Sequence, residues 1–313
     1  MNGTHGVAAP EQIDPRTAAE LDRPALAELA GLLGDALGCQ VSIGQPPPRQ
    51  RGDVLSFPAY DERGRPRAVA RWASSPESAA GLLAEAEVLA GLETWGEGSV
   101  LVAPRLLALT RWRGGTLLVR EWRAPSYPTR PPSRQERHAA ERAVAALGTP
   151  ADLDESYAEL LRSDLLRLPP SPFADRLSAT LDRLAARHDL DHLPRGAWHG
   201  HWAPGALAAA GDGRVLVWGW RRFAPNRPLG FDTLHFRLAE LRALPRSAGA
   251  GPTLIDEAPR LLARWHGRVV PESEGVARLL LIELAARELR EIGVRQAPVS
   301  WTADWIAPMV LDT

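Results

Sequence analysis

The stretch Trp198–Trp220, WHGHWAPGALAAAGDGRVLVWGW, decides how this chain is read. It opens on a His-Gly turn at His199–Gly200, passes a Pro-Gly pair at Pro204–Gly205, and runs into an apolar strand closed by Trp218 and Trp220. Glycine and proline punctuate turns, and Asp212 in AAGDGR is ordinary turn chemistry, so a loop leading into a short hairpin is expected. Such a loop has the layout of an active-site segment. Almost nothing in it, however, can hold a metal.

Outward from that stretch the periodicity changes. Downstream, FDTLHFRLAELRAL (231–244), TLIDEAPRLLARWHG (253–267) and EGVARLLLIELAARELREIG (274–293) repeat apolar residues at helical spacing. Upstream, RQERHAAERAVAALG (134–148), ESYAELLRSDLLRL (155–168) and PFADRLSATLDRLAARHDL (172–190) do the same. Before them RAPSYPTRPPSRQ (123–135), rich in Pro and Arg and without a period, marks a boundary. The first part differs. An amphipathic helix with a glycine C-cap is expected over 16–38, then strands in DVLSFPAYD (53–61), RAVARWA (67–73) and GGTLLVREW (114–122). Between the last two, SPESAAGLLAEAEVLAGLETW (75–95) predicts a helix, followed by VLVAPRLLALTRW (100–112). QPPPRQRG (45–52) interrupts the pattern after the first helix. The predicted organisation is an N-terminal lobe at 1–122, a hinge at 123–136 and a helical C-terminal lobe at 137–313.

Composition narrows the chemistry. The formal net charge is −1 with no basic block, which gives no electrostatic footprint for nucleic acid or an anionic membrane. Cys39 is the only cysteine, which excludes an internal disulfide framework. All 37 cationic side chains are arginine, so Schiff-base chemistry and a phosphate-loop lysine are excluded. The opening MNGTHGVAAPEQID lacks the basic-then-apolar order of a secretory signal, and no apolar run reaches the roughly 20 residues of a membrane span. A soluble, cytoplasmic protein is expected, with a small molecule or another protein as partner.

The segment HGHWAPGAL…VLVWGWRRF…PLGFD resembles the active-site core of the aminoglycoside phosphotransferase and choline-kinase branch of the protein-kinase-like fold. The resemblance implies an α+β, bilobal fold with a small sheet-plus-helix lobe and a larger helical one. It also implies ATP as co-substrate and magnesium held by side-chain oxygens. In that family the loop reads His-Gly-Asp, then Asn, and the following strand ends in an acidic residue. Here these positions fall on His201, Ala206 and Gly219, so the resemblance implies a degenerate member, a pseudokinase in the bacterial cytoplasm with no intact catalytic set and no metal. The frame is kept at His199, Gly200, Pro204, Gly205, Trp218, Trp220 and Asp232, the last resembling the acid that hydrogen-bonds the loop backbone. The phosphate-contacting strand lysine falls on Arg71, and its helix glutamate partner on Glu85, with a pair between them and two separate solvated surface charges both open. Any ATP contact without magnesium is expected at Arg71, Glu85 and the hinge residues Glu121 and Trp122.

Other readings stay open at this point. Histidine titrates near neutrality, so His201 is a candidate base for an active phosphotransferase with a rearranged site. His199 and His201 are also weighed as zinc ligands, with His235 or His266 as the third, though no established spacing supports them. Trp72, Trp122, Trp198, Trp202, Trp218 and Trp220 form either an aromatic wall for a ligand or core filling, the latter preferred. Ala277–Leu289 is read as a buried helix in preference to a partner-binding face.

Overall fold

The computed structural model describes residues 23–44, 54–94, 100–125, 130–148, 155–210, 212–244, 249–267 and 272–295, with the backbone alone over 291–295. The start of the expected first helix (16–22) and the Pro-rich break after it lie outside these residues. Contacts divide the chain into two compact units. The first falls within Met1–Gly98, Val102–Pro125 and Trp218–Arg222, and the second within Ser99–Leu101, Ser126–Val217 and Phe223–Thr313.

In the first unit α1 (Arg23–Leu37) precedes β1 (Val41–Ile43), β2 (Val54–Asp61), β3 (Pro66–Ala73) and α2 (Pro76–Glu93). The chain continues through β4 (Leu101–Val102), β5 (Leu106–Trp112) and β6 (Gly115–Glu121). The antiparallel sheet runs β1-β2-β3-β6-β5. Its two faces follow from strand alternation. Ala68, Ala70 and Trp72 of β3, with Leu117 and Val119 of β6, pack with Ala25, Leu29 and Leu33 of α1, a four-residue stripe. Ala73 and Leu118 point the other way, to Leu82 and Ala86 of α2. Helix α2 starts at the predicted end, capped by Ser75: the Ser78 amide donates to Ser75 Oγ at 3.2 Å. Sequence VLVAPRLLALTRW divides into β4 and β5 around Pro104, which has no amide to give a ladder.

The second unit contains α3 (Arg134–Ala145), α4 (Tyr157–Leu166), α5 (Pro172–Arg187), β7 (Arg195–Trp198), β8 (Leu207–Ala209), β9 (Val215–Val217), β10 (Ala224–Pro228), α6 (Phe231–Arg242), α7 (Ala250–His266) and α8 (Ser273–Arg295). The predicted hairpin is β8 and β9, paired Leu207 to Val217 and Ala209 to Val215. Strands β1, β7 and β10 were not expected; at three to five residues they show no alternation to detect. Strand β7 pairs with β10 and delivers Trp198, fully buried, to the core. There Phe231 meets it edge-on at 5.2 Å and Arg287 lies 4.0 Å over its ring. The centre of this unit is α8, whose Leu279, Leu280, Leu281 and Ile282 are 0 % exposed, so the apolar run is core and not a partner face. At about 1.5–3 kcal/mol per fully buried aliphatic side chain, these four contribute roughly 6–12 kcal/mol of gross burial energy, against which the entropy of ordering is set. Among the described residues no helix is long and apolar enough to cross a membrane.

Candidate functional site

In the first unit the predicted Arg71–Glu85 pair forms, guanidinium Nη1 donating to Glu85 Oε2. Glu85 belongs to the buried stripe Leu82, Glu85, Ala86 and Leu89 of α2 and is 0 % exposed, so a counter-charge is obligatory. Register supplies a second cation that sequence reading missed. Arg71 is opposite Leu118 and Arg120 is opposite Val69, which places both arginines on the α2 face of the sheet. Burial lowers the Arg120 pKa below the usual arginine value, while Glu85 pulls it back up. The signal available in the sequence was an arginine inside the apolar run GTLLVREW.

Two further predicted residues end β6. The Glu121 amide donates to the Arg105 carbonyl at 2.8 Å and the Trp122 amide to the Arg67 carbonyl at 2.9 Å. Both donors are spent within the sheet. Glu121 holds Arg123 at 2.8 Å, and Trp122 is 39 % exposed. Gly219 also belongs to this unit, within the Trp218–Arg222 segment that packs on α2. Its φ is 82°, a left-handed conformation that glycine adopts freely and that aspartate tolerates better than most residues. Trp220 is fully buried and Arg221 lies against Gly81 of α2, where a Cβ would approach its Cδ within 2.8 Å.

In the second unit the loop after β7 is braced as the frame residues imply. Asp232, 4 % exposed, accepts from the His199 amide at 3.1 Å and from the Gly200 amide. Its carboxyl pKa is pushed well above the ordinary value by burial, against the two amide bonds and with Glu141 adding to the rise. Gly230 sets this geometry: it caps α6 at φ 92°, and a Cβ there would collide with Leu262. His199 is 0 % exposed with its ring edge-on to Trp202 at 5.4 Å. His201, by contrast, is exposed, 6.5 Å from the His235 ring. Ala206 ends the 3-10 turn Pro204–Ala206 and is 4 % exposed, so its methyl faces protein.

Glu141 of α3, 3 % exposed, ties the loop to the helices and was not anticipated. Its Oε1 accepts from the Trp202 indole at 3.0 Å and its Oε2 from the Thr233 hydroxyl at 2.7 Å. Thr233 in turn accepts from the Trp265 indole at 2.9 Å. A second buried set links α4, β10 and α8: Tyr157 donates to Glu283 at 2.9 Å, and Arg287 approaches the same carboxylate at 2.8 Å and Arg227 at 3.5 Å. Burial alone would raise the Glu283 pKa, but Arg287 and Arg227 hold it at about 2.

The structure therefore brings together Arg71 with Glu85 in one unit and His199 with Asp232 in the other. Five of the six tryptophans weighed as an aromatic wall, all but the exposed Trp122, are buried or partly buried, and Trp72, Trp198, Trp202 and Trp220 are core. Among the described residues no three His, Cys, Asp or Glu side chains converge for a metal ion, and His199, His201, His235 and His266 make no such set.

No family model matches the sequence, and no curated protein matches it either. Solved structures do. APH(2″)-IIa in its ternary complex with streptomycin and ATP superposes with a TM-score of 0.57 at 9 % identity, over 92 % of this chain and 96 % of that one. A Haemophilus somnus protein described as a fructosamine-3-kinase gives 0.57 at 12 %, over 93 % and 100 %. The choline kinase LicA from Streptococcus pneumoniae gives 0.55 at 11 %, over 90 % and 98 %. The chain has the bilobal, protein-kinase-like α+β fold shared by aminoglycoside phosphotransferases, choline kinase and fructosamine kinase.

Proposed function

We propose that this chain is a pseudokinase: a phosphotransferase fold from which the magnesium-dependent chemistry has been removed, serving as a binding or regulatory protein in the bacterial cytoplasm. The observation that carries the reading is the content of three positions. Where the resembled loop and strand hold oxygen ligands, this chain has the imidazole of His201, a buried methyl at Ala206 and no side chain at Gly219. That donor set does not fit magnesium. Asp232 still holds the amides of His199 and Gly200, so the loop is built although its reactive groups are replaced.

Nucleotide affinity is expected to be weak. Arg71 can meet phosphate oxygens with a planar fork, but it is committed to Glu85, and the Glu121 and Trp122 amides are engaged by carbonyls. The partner is a small organic ligand, of the kind carried by the structural neighbours, or another protein. The test is a thermal-shift titration of ATP with and without magnesium, combined with measured ATP turnover. Stabilisation indifferent to magnesium, or none, with no turnover, supports the pseudokinase. Magnesium-dependent stabilisation together with turnover overturns it.

A second reading is favoured by one feature: His201 is exposed where the resembled base stands, and imidazole accepts protons near neutrality. An active phosphotransferase using His201 requires that His201→Ala abolish turnover; an unchanged rate in that variant removes the second reading.

A further inference from the structure

Within the second unit, α3, α6 and α7 surround a cavity of about 170 Å³ that is not part of the loop bearing His201. Four arginines line it, Arg134 and Arg137 from α3, Arg237 from α6 and Arg264 from α7, against two carboxylates, Glu141 and Glu240. Both carboxylates are already committed. Glu141 accepts from Trp202 and Thr233, and Glu240 takes Arg237 at 3.2 Å. Arg237 is further held by Glu257 at 2.7 and 3.0 Å, which raises its pKa above the usual arginine value. Arg137 pairs with the Glu141 carboxylate, so the cationic surplus rests on Arg134 and Arg264. Arg137, 3.6 Å from Glu141, has its guanidinium seated 3.9 Å over the Phe236 ring, which fixes the plane of the fork.

We propose that this cavity binds a phosphate group, either free phosphate or the monoester end of a small molecule. Guanidinium forks suit the paired oxygens of phosphate, where ammonium groups would act as point charges. Size restricts the ligand: organic ligands usually occupy roughly 300–1,000 Å³, so this cavity takes the anionic group and leaves any organic remainder at its mouth. The site backs onto the loop through Glu141, whose carboxylate lines the cavity and carries the Trp202 indole. This proposal does not depend on whether the loop is catalytic.

The test titrates inorganic phosphate and glycerol phosphate separately into the full chain by calorimetry, with sodium chloride at matched ionic strength as control. Saturable phosphate binding is expected, weakened about tenfold or more in the variant carrying Arg134→Gln and Arg264→Gln. Arg134→Gln alone, at an exposed position, serves if the double variant fails to fold, and is expected to weaken binding in the same direction. Arg167→Gln, 75 % exposed and outside the cavity, is expected to bind as the unsubstituted chain does. Tighter binding of glycerol phosphate assigns the site to an organic monoester, and equal binding assigns it to phosphate itself. A chloride response equal to that of phosphate, or undiminished binding in the Arg134→Gln variants, overturns the proposal.

Discussion

Replacing Asp232 by alanine removes the acceptor of two buried loop amides, those of His199 and Gly200. A buried donor left unpaired costs about 1–3 kcal/mol, and two are exposed to that loss. Part is returned, because the wild-type carboxylate itself pays for burial, as its raised pKa records. The net expectation is a destabilisation of about 2–4 kcal/mol. Asp232→Asn keeps an acceptor and discards the charge, so its cost should stay under about 1 kcal/mol. The pH dependence separates the two contributions. A carboxyl whose pKa is raised on folding stabilises fully below its unfolded value and loses that contribution as pH rises through the folded value. Asp232→Asn should therefore flatten a decline in stability toward neutral pH that the wild type shows. Urea denaturation followed by tryptophan fluorescence across pH 4–8 measures both quantities, with Trp198 and Trp202 beside the loop as reporters. If Asn proves as damaging as Ala, the charge and not the acceptor holds the loop, and the reasoning fails.

Other perturbations report on other parts of the fold. Glu283 titrates in the opposite sense to Asp232: its pKa, lowered from 4.5 to about 2, gives stability that is present above pH 4.5 and lost as pH falls toward 2. Glu283→Gln should flatten that acid limb in a pH series of urea midpoints. Glu85→Gln leaves Arg71 and Arg120 facing each other without a counter-charge and should cost about 3–5 kcal/mol, whereas an apolar Arg71→Leu, Glu85→Leu double replacement should recover part of it in the same assay. Trp198→Ala empties the space between Phe231 and Arg287 and should cost about 3–5 kcal/mol by denaturant titration. Gly219→Asp, placed at φ 82°, should fold with a penalty of about 1–2 kcal/mol, and Gly219→Val with a larger one, because a β-branched side chain tolerates that backbone least.

Much of the fold was legible because it rests on local patterns. The stripe Ala25, Leu29 and Leu33, the alternation of RAVARWA and the Ser75 cap each express a period or a capping rule within a few residues. The short strands β1, β7 and β10 were not legible, since a strand of three to five residues is defined by its partner and not by its own sequence. The site divides in the same way. The Arg71–Glu85 pair was anticipated through resemblance, but Arg120 joins it only because β3 and β6 pair in a particular register. Glu141 is one of several charges in the helix RQERHAAERAVAALG, and nothing in that segment sets it apart. It is nearly inaccessible because Trp202 and Thr233, 61 and 92 residues away, close over it.

By itself the amino-acid sequence determined the α+β class, through local periodicities, and the residues His201, Ala206 and Gly219, because residue identity needs no coordinates to be known. Only the tertiary structure decided which charges are buried together, how Asp232 and Glu141 hold the loop, and that four arginines from three helices share one cavity. Those features are set by contacts between segments distant in the chain, whose pairing is fixed by core packing and strand register and leaves no local periodicity to read.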